Sequence, residues 1–383
     1  MVCTMKKNLA MFLCVCALAA CRPSHEGVEG NYLISDVPAV SEESTLLSSL
    51  IDVKRVVPLE TNDSCLIGGD VRKILKYGSR FYVSFDRTTL LAFDKDGKFV
   101  RRIGALGQGP GEYASFMDFD VDKEGIYIVG SRQMMWYAPD GTFVRKVSFG
   151  EHNIIGLTVI GDKILGLVTR EEETAHLFTK DGKLLQTFLP SSKAVWVGQS
   201  TYYWPYGEDT YLMPLGSSND VLLYDAQSEA FSYARMLDAP GLLSLERQNE
   251  LDESDPHHMK GWYTDYAATI WNLNSNGRQL FFFTSHKDEG ENALWVKDLP
   301  RDSSRGFRLD KVVNDVSFMP VNLFFTSFTY SAGTFLAYVM PSQLKEAISQ
   351  TELTDSPYYE QMKTLAEQLD EEDNLVLIEY EFK

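Results

Sequence analysis

One hairpin recurs along the chain, and its spacing restricts the fold more than any other feature. The copies are FDKDGKFVRRIG (93–104), YAPDGTFVRKVSF (137–149) and FTKDGKLLQTFLP (178–190). Each is a strand ending near an aromatic residue, a polar turn closing on glycine, and a second strand that alternates polar and apolar residues. Asp96-Gly97, Asp140-Gly141 and Asp181-Gly182 make the turns, because Gly tolerates φ > 0 and Asp tolerates the left-handed region. The glycines stand at 97, 141 and 182, spacings of 44 and 41 residues. A period of that length built from short strands is the pattern of four-stranded propeller blades. Weaker copies follow at 222–237 and 294–313.

Between these hairpins lie pairs of apolar strands that read as the inner strands of each blade. FDV and IYIVG face each other across Asp122–Gly125, the halves of 157–169 across Gly161-Asp162, and the halves of 72–86 across Gly78-Ser79. The ends of the chain supply the remaining blade. VKRVVPLE (53–60) and LVLIEYEF (375–382) are both strand-like, and pairing them in one blade closes the ring without leaving a sheet edge. The stretch 358–373 reads as an acidic helix. The stretch 240–272 has helical spacing, with Pro240 and Pro256 as starts, and reads as a helical excursion between blades. The expected fold is all-β, a six-bladed β-propeller of four-stranded antiparallel blades with short helical insertions.

The N-terminus carries an address. Lys6 and Lys7 precede an apolar run from Leu9 to Ala17, and small residues Ala19 and Ala20 precede Cys21. That is the layout of a secretory signal, and the run is too short to span a bilayer permanently. The segment from Met5 is the more compact form of the same signal. Leu18-Ala19-Ala20-Cys21 resembles the bacterial lipobox, which implies lipid on the Cys21 thiol; several acyl chains on one residue give stable anchoring. Residues 1–20 are therefore expected as signal peptide, 21–50 as a lipidated tether and 51–383 as the propeller.

Charge and cysteine content narrow the partners. The chain has 383 residues, a formal net charge of −18 and five cysteines. Loss of Lys6 and Lys7 with the signal makes the mature chain more acidic still. Such a surface repels nucleic acid, so no nucleic-acid partner is expected. Cys3, Cys14 and Cys16 leave with the signal and Cys21 takes lipid, so Cys65 has no partner for an intramolecular disulfide.

Three stretches carry a family resemblance. Val57-Pro58-Leu59-Glu60-Thr61 opens the first blade. Phe93-Asp94-Lys95-Asp96-Gly97-Lys98-Phe99 is followed by Ile103-Gly104 and Gly107-Gln108-Gly109-Pro110-Gly111-Glu112-Tyr113. Asp373-Asn374-Leu375-Val376-Leu377 closes the chain. From about Val53 to Lys383 the sequence resembles the six-bladed β-propeller lipoproteins of Bacteroides-type bacteria, and 107–141 resembles an NHL-type repeat. The family ending usually has Pro after Asn, where this chain has Leu375. The resemblance implies the fold and an envelope address, not an activity. Surface-displayed relatives resemble one another in an acidic run after the lipidated Cys. Here Arg22-Pro23-Ser24-His25-Glu26 holds one acid, which favours an outer-membrane protein facing the periplasm.

No motif assigns catalysis. The glycine-rich stretch 104–111 lacks the Gly-Lys-Ser/Thr of a phosphate loop and leads into a strand, so it reads as a blade-to-blade connection. No HExxH, regular His/Cys spacing or GxSxG elbow is present, and neither a catalytic set nor a metal centre is expected. Ca²⁺ bound on the channel axis for stability alone is a further reading that the acidic charge allows. The ligand-binding candidates are Tyr202, Tyr203, Trp204 and Tyr206, with Trp262 and Tyr263 in the insertion and Glu112 and Tyr113 after the glycine-rich stretch. Consecutive aromatics cannot all face inward in a strand, so the 202–206 run is expected to meet solvent, an insertion or a partner. The leading expectation is a non-enzymatic binding propeller for a peptide, glycan or envelope protein. A propeller hydrolase or lyase instead requires Glu112, Asp118, Glu208, Asp209, His257 and His258 to converge at the channel.

Overall fold

The three Asp-Gly turns each join the third and fourth strands of a blade. In the computed structural model Gly97, Gly141 and Gly182 have φ of 80°, 84° and 85°, a region that costs glycine little. The structure describes residues 31–383 except 170, 191–201, 255–267, 286–291 and 327. These residues build six blades of mainly antiparallel strands. Blade 1 spans Val71 to Arg102, blade 2 Asp118 to Ser148, blade 3 Asn153 to Pro190, blade 4 Trp204 to Leu237 and blade 5 Thr269 to Arg308.

Blade 6 is assembled from both ends of the chain. Val376–Phe382 lies between Phe335–Val339 and Ile51–Pro58, antiparallel to both. The pairing runs from Val376 opposite Pro58 to Phe382 opposite Ile51, so the expected closure by the two end strands is observed. Buried Asn374 clasps the seam. Its Oδ1 accepts from the Ile67 amide at 2.7 Å, and its Nδ2 donates to the carbonyls of Glu60 at 2.6 Å and Cys65 at 2.8 Å. The segment that would open blade 6, Thr329–Ser331, pairs in parallel with Ile74–Lys76 of blade 1. Tyr330 then packs 6.1 Å from the Trp204 ring of blade 4 and narrows the axis.

Burial falls from axis to rim. Ile126–Val129, the second strand of blade 2, is wholly buried, because a neighbouring blade covers each face of the sheet. The outer strand Phe143–Ser148 is mostly exposed. The largest apolar cluster lies between blades 5 and 6. There Phe281 sits 5.1 Å from Phe325 and 5.2 Å from Phe335, and Phe325 stacks on Phe382 at 5.7 Å.

Three expectations need correction. The stretch expected as a tether over 21–50 is docked on the propeller from Asn31 onward, where Asn31 Nδ2 donates to the Tyr233 carbonyl at 3.0 Å. Tyr32–Ile34 adds to the outer edge of blade 4, Val40–Ser41 to that of blade 5, and Thr45–Leu46 pairs with Val312–Val313. Unpaired edge groups accept such strands whatever their side chains, and runs of two or three residues show no alternation. The excursion expected over 240–272 contains the helix Leu245–Ser254, but Thr269–Ser275 is already the inner strand of blade 5. The helix starts at Ser244, not Pro240, because Ser244 Oγ accepts from the Arg247 amide at 3.1 Å and Asp220 from the Leu245 amide at 2.7 Å. The helix expected over 358–373 is Tyr359–Gln368, and it packs on a second helix, Pro341–Gln350, that the sequence reading missed.

Candidate functional site

Strand order gives the propeller two unlike faces. One face carries the turns between second and third strands and the connections from blade to blade. On it, between blades 2 and 3, lies a cleft of about 350 Å³. Three segments form it: the glycine-rich connection around Gln108, Glu112 and Ser115, the turn with Ser131 and Gln133, and the start of blade 3 at Asn153. Lys146 of the outer strand borders it.

The connection is shaped by close backbone approach. Gly104 has φ of 65°, and a Cβ there would stand 2.6 Å from both Tyr113 Cε1 and Tyr137 Oη. Tyr137 Oη donates to the Gly111 carbonyl at 2.9 Å and Tyr113 Oη to the Ile103 carbonyl at 2.9 Å. Burial pushes the Tyr113 hydroxyl up to about 12. Tyr113 therefore braces the loop with its hydroxyl already engaged. Glu112 is partly exposed, and its Oε2 accepts from the Gly109 amide at 2.8 Å. This leaves polar groups of both hydrogen-bonding senses around an open space.

A second cluster adjoins the cleft at Asn153. That side chain accepts from Ser131 Oγ at 3.1 Å and donates to Thr169 Oγ1 at 2.8 Å. The preceding residue, His152, lies with Nδ1 2.8 Å from Glu171 Oε2. Glu171 is in the turn between the second and third strands of blade 3, and His176 is on the third strand. His176 Nε2 is 3.8 Å from Glu171 Oε2 and donates to the Glu173 carbonyl at 2.9 Å. Burial holds the His176 imidazole below its usual range.

A third group lies near the axis. Lys73 Nζ donates to Asp118 Oδ1 at 2.9 Å and to the Phe119 carbonyl at 2.7 Å. Asp118 and Asp120 accept from the Leu157 and Val159 amides at 2.9 and 2.7 Å. Burial pushes Asp120 up to about 6, against the pull of Lys73. The network joins blades 1, 2 and 3, with an ammonium balancing the carboxylates.

Of the residues singled out in the sequence, Glu112 and Tyr113 line the cleft. The aromatic run is a correction. Tyr202, Tyr203 and Trp204 are buried in the core and Tyr206 packs against it. The run is buried on both sides because it passes between two inter-blade cores. Tyr202 and Tyr203 enter the core of blades 3 and 4, and Trp204 that of blades 4 and 5. Tyr202 lies so close over Gly156 that a Cβ there would come within 2.1 Å of its ring. Trp262, Tyr263, His257, His258 and Cys21 lie outside the described residues. The convergence of acids needed for the enzyme reading is not seen among the described residues. Asp118 pairs with Lys73, while Glu208 and Asp209 lie in a first-to-second-strand turn on the opposite face, Asp209 accepting from Gln227. The sequence reading missed Ser131, Gln133, Asn153 and Glu171. The hairpin period pointed toward them, since 130–133 and 171–173 belong to the same turn in successive blades.

The fold and much of its length recur in known proteins. The chain is similar to a crystal structure of a protein described as exported from Bacteroides fragilis NCTC 9343, with a TM-score of 0.69 and 17% identity, covering 91% of this chain and 99% of that one. It is also similar to a member of the DUF4221 family from Bacteroides vulgatus ATCC 8482, with a TM-score of 0.50 and 10% identity, over 87% of this chain and 98% of that one. No curated protein matches. The family model described as a domain of unknown function, DUF4934, matches residues 34–381.

Proposed function

From the premise that this chain belongs to the DUF4934 family, we propose that it is an outer-membrane lipoprotein whose propeller binds a polar envelope ligand without transforming it. The observation that carries the reading is the cleft between blades 2 and 3. Its volume falls within the usual range for small-ligand sites, and Gln108, Glu112, Ser115, Gln133 and Lys146 offer donors and acceptors to it. Such a lining suits the hydroxyls of a glycan unit or the backbone of a short peptide. The NHL-like stretch 107–141 supplies two of its three walls.

The test is a binding screen of the purified chain against envelope glycans and peptides. A hit by calorimetry is expected to weaken about tenfold, ~1.4 kcal/mol, in Glu112→Gln and in Gln133→Ala. Binding that ignores both substitutions, or turnover of the bound compound, overturns the reading.

The anchor is tested separately. The signal and Cys21 support an acylated N-terminus, and no helix among the described residues is long and apolar enough to cross a membrane. Cys21→Ala is expected to abolish metabolic labelling with a fatty-acid analogue and to move the protein out of the membrane fraction. Unchanged labelling rules out Cys21 as the modified residue.

A further inference from the structure

We propose that His152, Glu171 and His176 form a binding site for a divalent transition metal of the zinc class on the cleft-bearing face. The inference stands on these side chains alone and does not depend on the cleft reading.

One donor atom from each of the three residues lies within 4.8 Å of the others. Four-coordinate zinc with bonds of about 2.0–2.1 Å has donors about 3.4 Å apart. The separations of 2.8 Å and 3.8 Å from Glu171 Oε2 bracket that value and the imidazole nitrogens lie within 4.8 Å of each other, so a cation needs side-chain shifts of up to about an ångström. Two imidazoles and one carboxylate are the donor types that suit zinc and its neighbours, whereas Ca²⁺ takes oxygen.

The buried polar atoms carry a second indication. Glu171 Oε1 and His176 Nδ1 are buried with no hydrogen-bond partner among the described residues, and the His176 side chain is 1% exposed. Buried polar groups are rarely left so. A cation bound here gives the Glu171 carboxylate its missing electrostatic partner, and gives His176 Nδ1 one when that nitrogen is the ligand. If Nδ1 is the ligating atom, the bond from Nε2 to the Glu173 carbonyl becomes the support that commonly orients a ligating imidazole. If Nε2 ligates, that bond is exchanged for the metal.

The position of the group also fits. His176 fixes the inner side, packed 5.7 Å from the Phe178 ring. The His152 and Glu171 side chains are 26% and 27% exposed. Three protein donors leave a fourth position for solvent or a ligand, and His152 is the chain neighbour of Asn153 in the cleft lining.

The experiment uses the full chain, purified in detergent and stripped with a chelator. Titration with Co²⁺ is expected to give the visible absorption of a low-symmetry four- or five-coordinate ion, saturating at one equivalent and displaced by Zn²⁺. His152→Ala and Glu171→Gln are partly exposed substitutions that leave the fold intact, checked by their metal-free melting curves. Each is expected to weaken Zn²⁺ binding at least about tenfold and to remove the rise in Tm that Zn²⁺ gives the parent chain. Glu151→Gln, one residue outside the cluster, is expected to change neither. Absence of one-equivalent binding, or binding that survives the His152→Ala/Glu171→Gln double substitution, overturns the proposal.

Discussion

Replacing Lys73 with Met is expected to cost the propeller about 3–5 kcal/mol, the usual penalty for removing one partner of a buried ion pair. Lys73 is buried, and its ammonium reaches Asp118 and the Phe119 carbonyl while lying 5.2 Å from the Phe119 ring. Met keeps the stem and removes the charge, leaving two buried carboxylates without their cation. Acid is expected to restore stability. Burial raises both Asp118 and Asp120 above the ordinary carboxylate range, Asp120 to about 6, so the folded state binds protons more readily than the unfolded chain. The contribution of such groups grows as pH falls through the folded value toward the unfolded one. In the parent chain the gain from Asp120 falls between about pH 7 and 4. In Lys73→Met it begins at higher pH and is larger. Urea unfolding at pH 7.5 and 5.5 measures both effects. A loss under about 1 kcal/mol, smaller than the known range for such pairs, removes the network from any structural role. The paired substitution Lys73→Met/Asp118→Asn is expected to recover most of the loss.

Ending the chain at Asn374 is expected to abolish the folded domain. The deletion removes Val376, Leu377, Ile378, Tyr380 and Phe382, all buried, and leaves Ile51–Pro58 and Phe335–Val339 without the strand between them. Burying such side chains contributes about 1.5–3 kcal/mol each, so five of them match the whole stability of a typical domain, ~5–15 kcal/mol. The expected readout is loss of the cooperative thermal transition and rapid proteolysis throughout. A truncated chain that melts cooperatively near the parent Tm shows that the ring does not depend on its last strand.

The fold was legible where the chain repeats itself. Gly97, Gly141 and Gly182 mark turns whose backbone demands glycine, and their interval states the blade. The end strands were legible because Val53–Glu60 and Leu375–Phe382 show strand-like patterning without a local partner. The rim strands at Tyr32 and Val40 were not, since they dock through backbone groups that any sequence possesses. The helix Pro341–Gln350 was passed over in a stretch, 314–357, to which no element was assigned. The aromatic run misled because the rule of alternating faces presumes one buried side, and residues 202–204 have a core on both.

The site was legible only in part. Glu112 and Tyr113 stood out beside an unusual glycine cluster. Asn153, His152, Glu171 and His176 come together through blade geometry, with Glu171 19 positions after His152 and His176 five positions further on. Local spacing rules describe ligands on one helix or one loop, and these sit on a connection, a turn and a strand.

The placement of Asn374 and the last strand also sets an order of events during biosynthesis. Ile51–Pro58 is made early, yet its partner Val376–Phe382 follows it by more than 300 positions. Until those later residues exist, blade 6 lacks its middle strand and the circle of blades has a gap. Pairing across so long a separation is slow to find, and the bonds that Asn374 makes to Glu60, Cys65 and Ile67 then act as the latch once the ends have met.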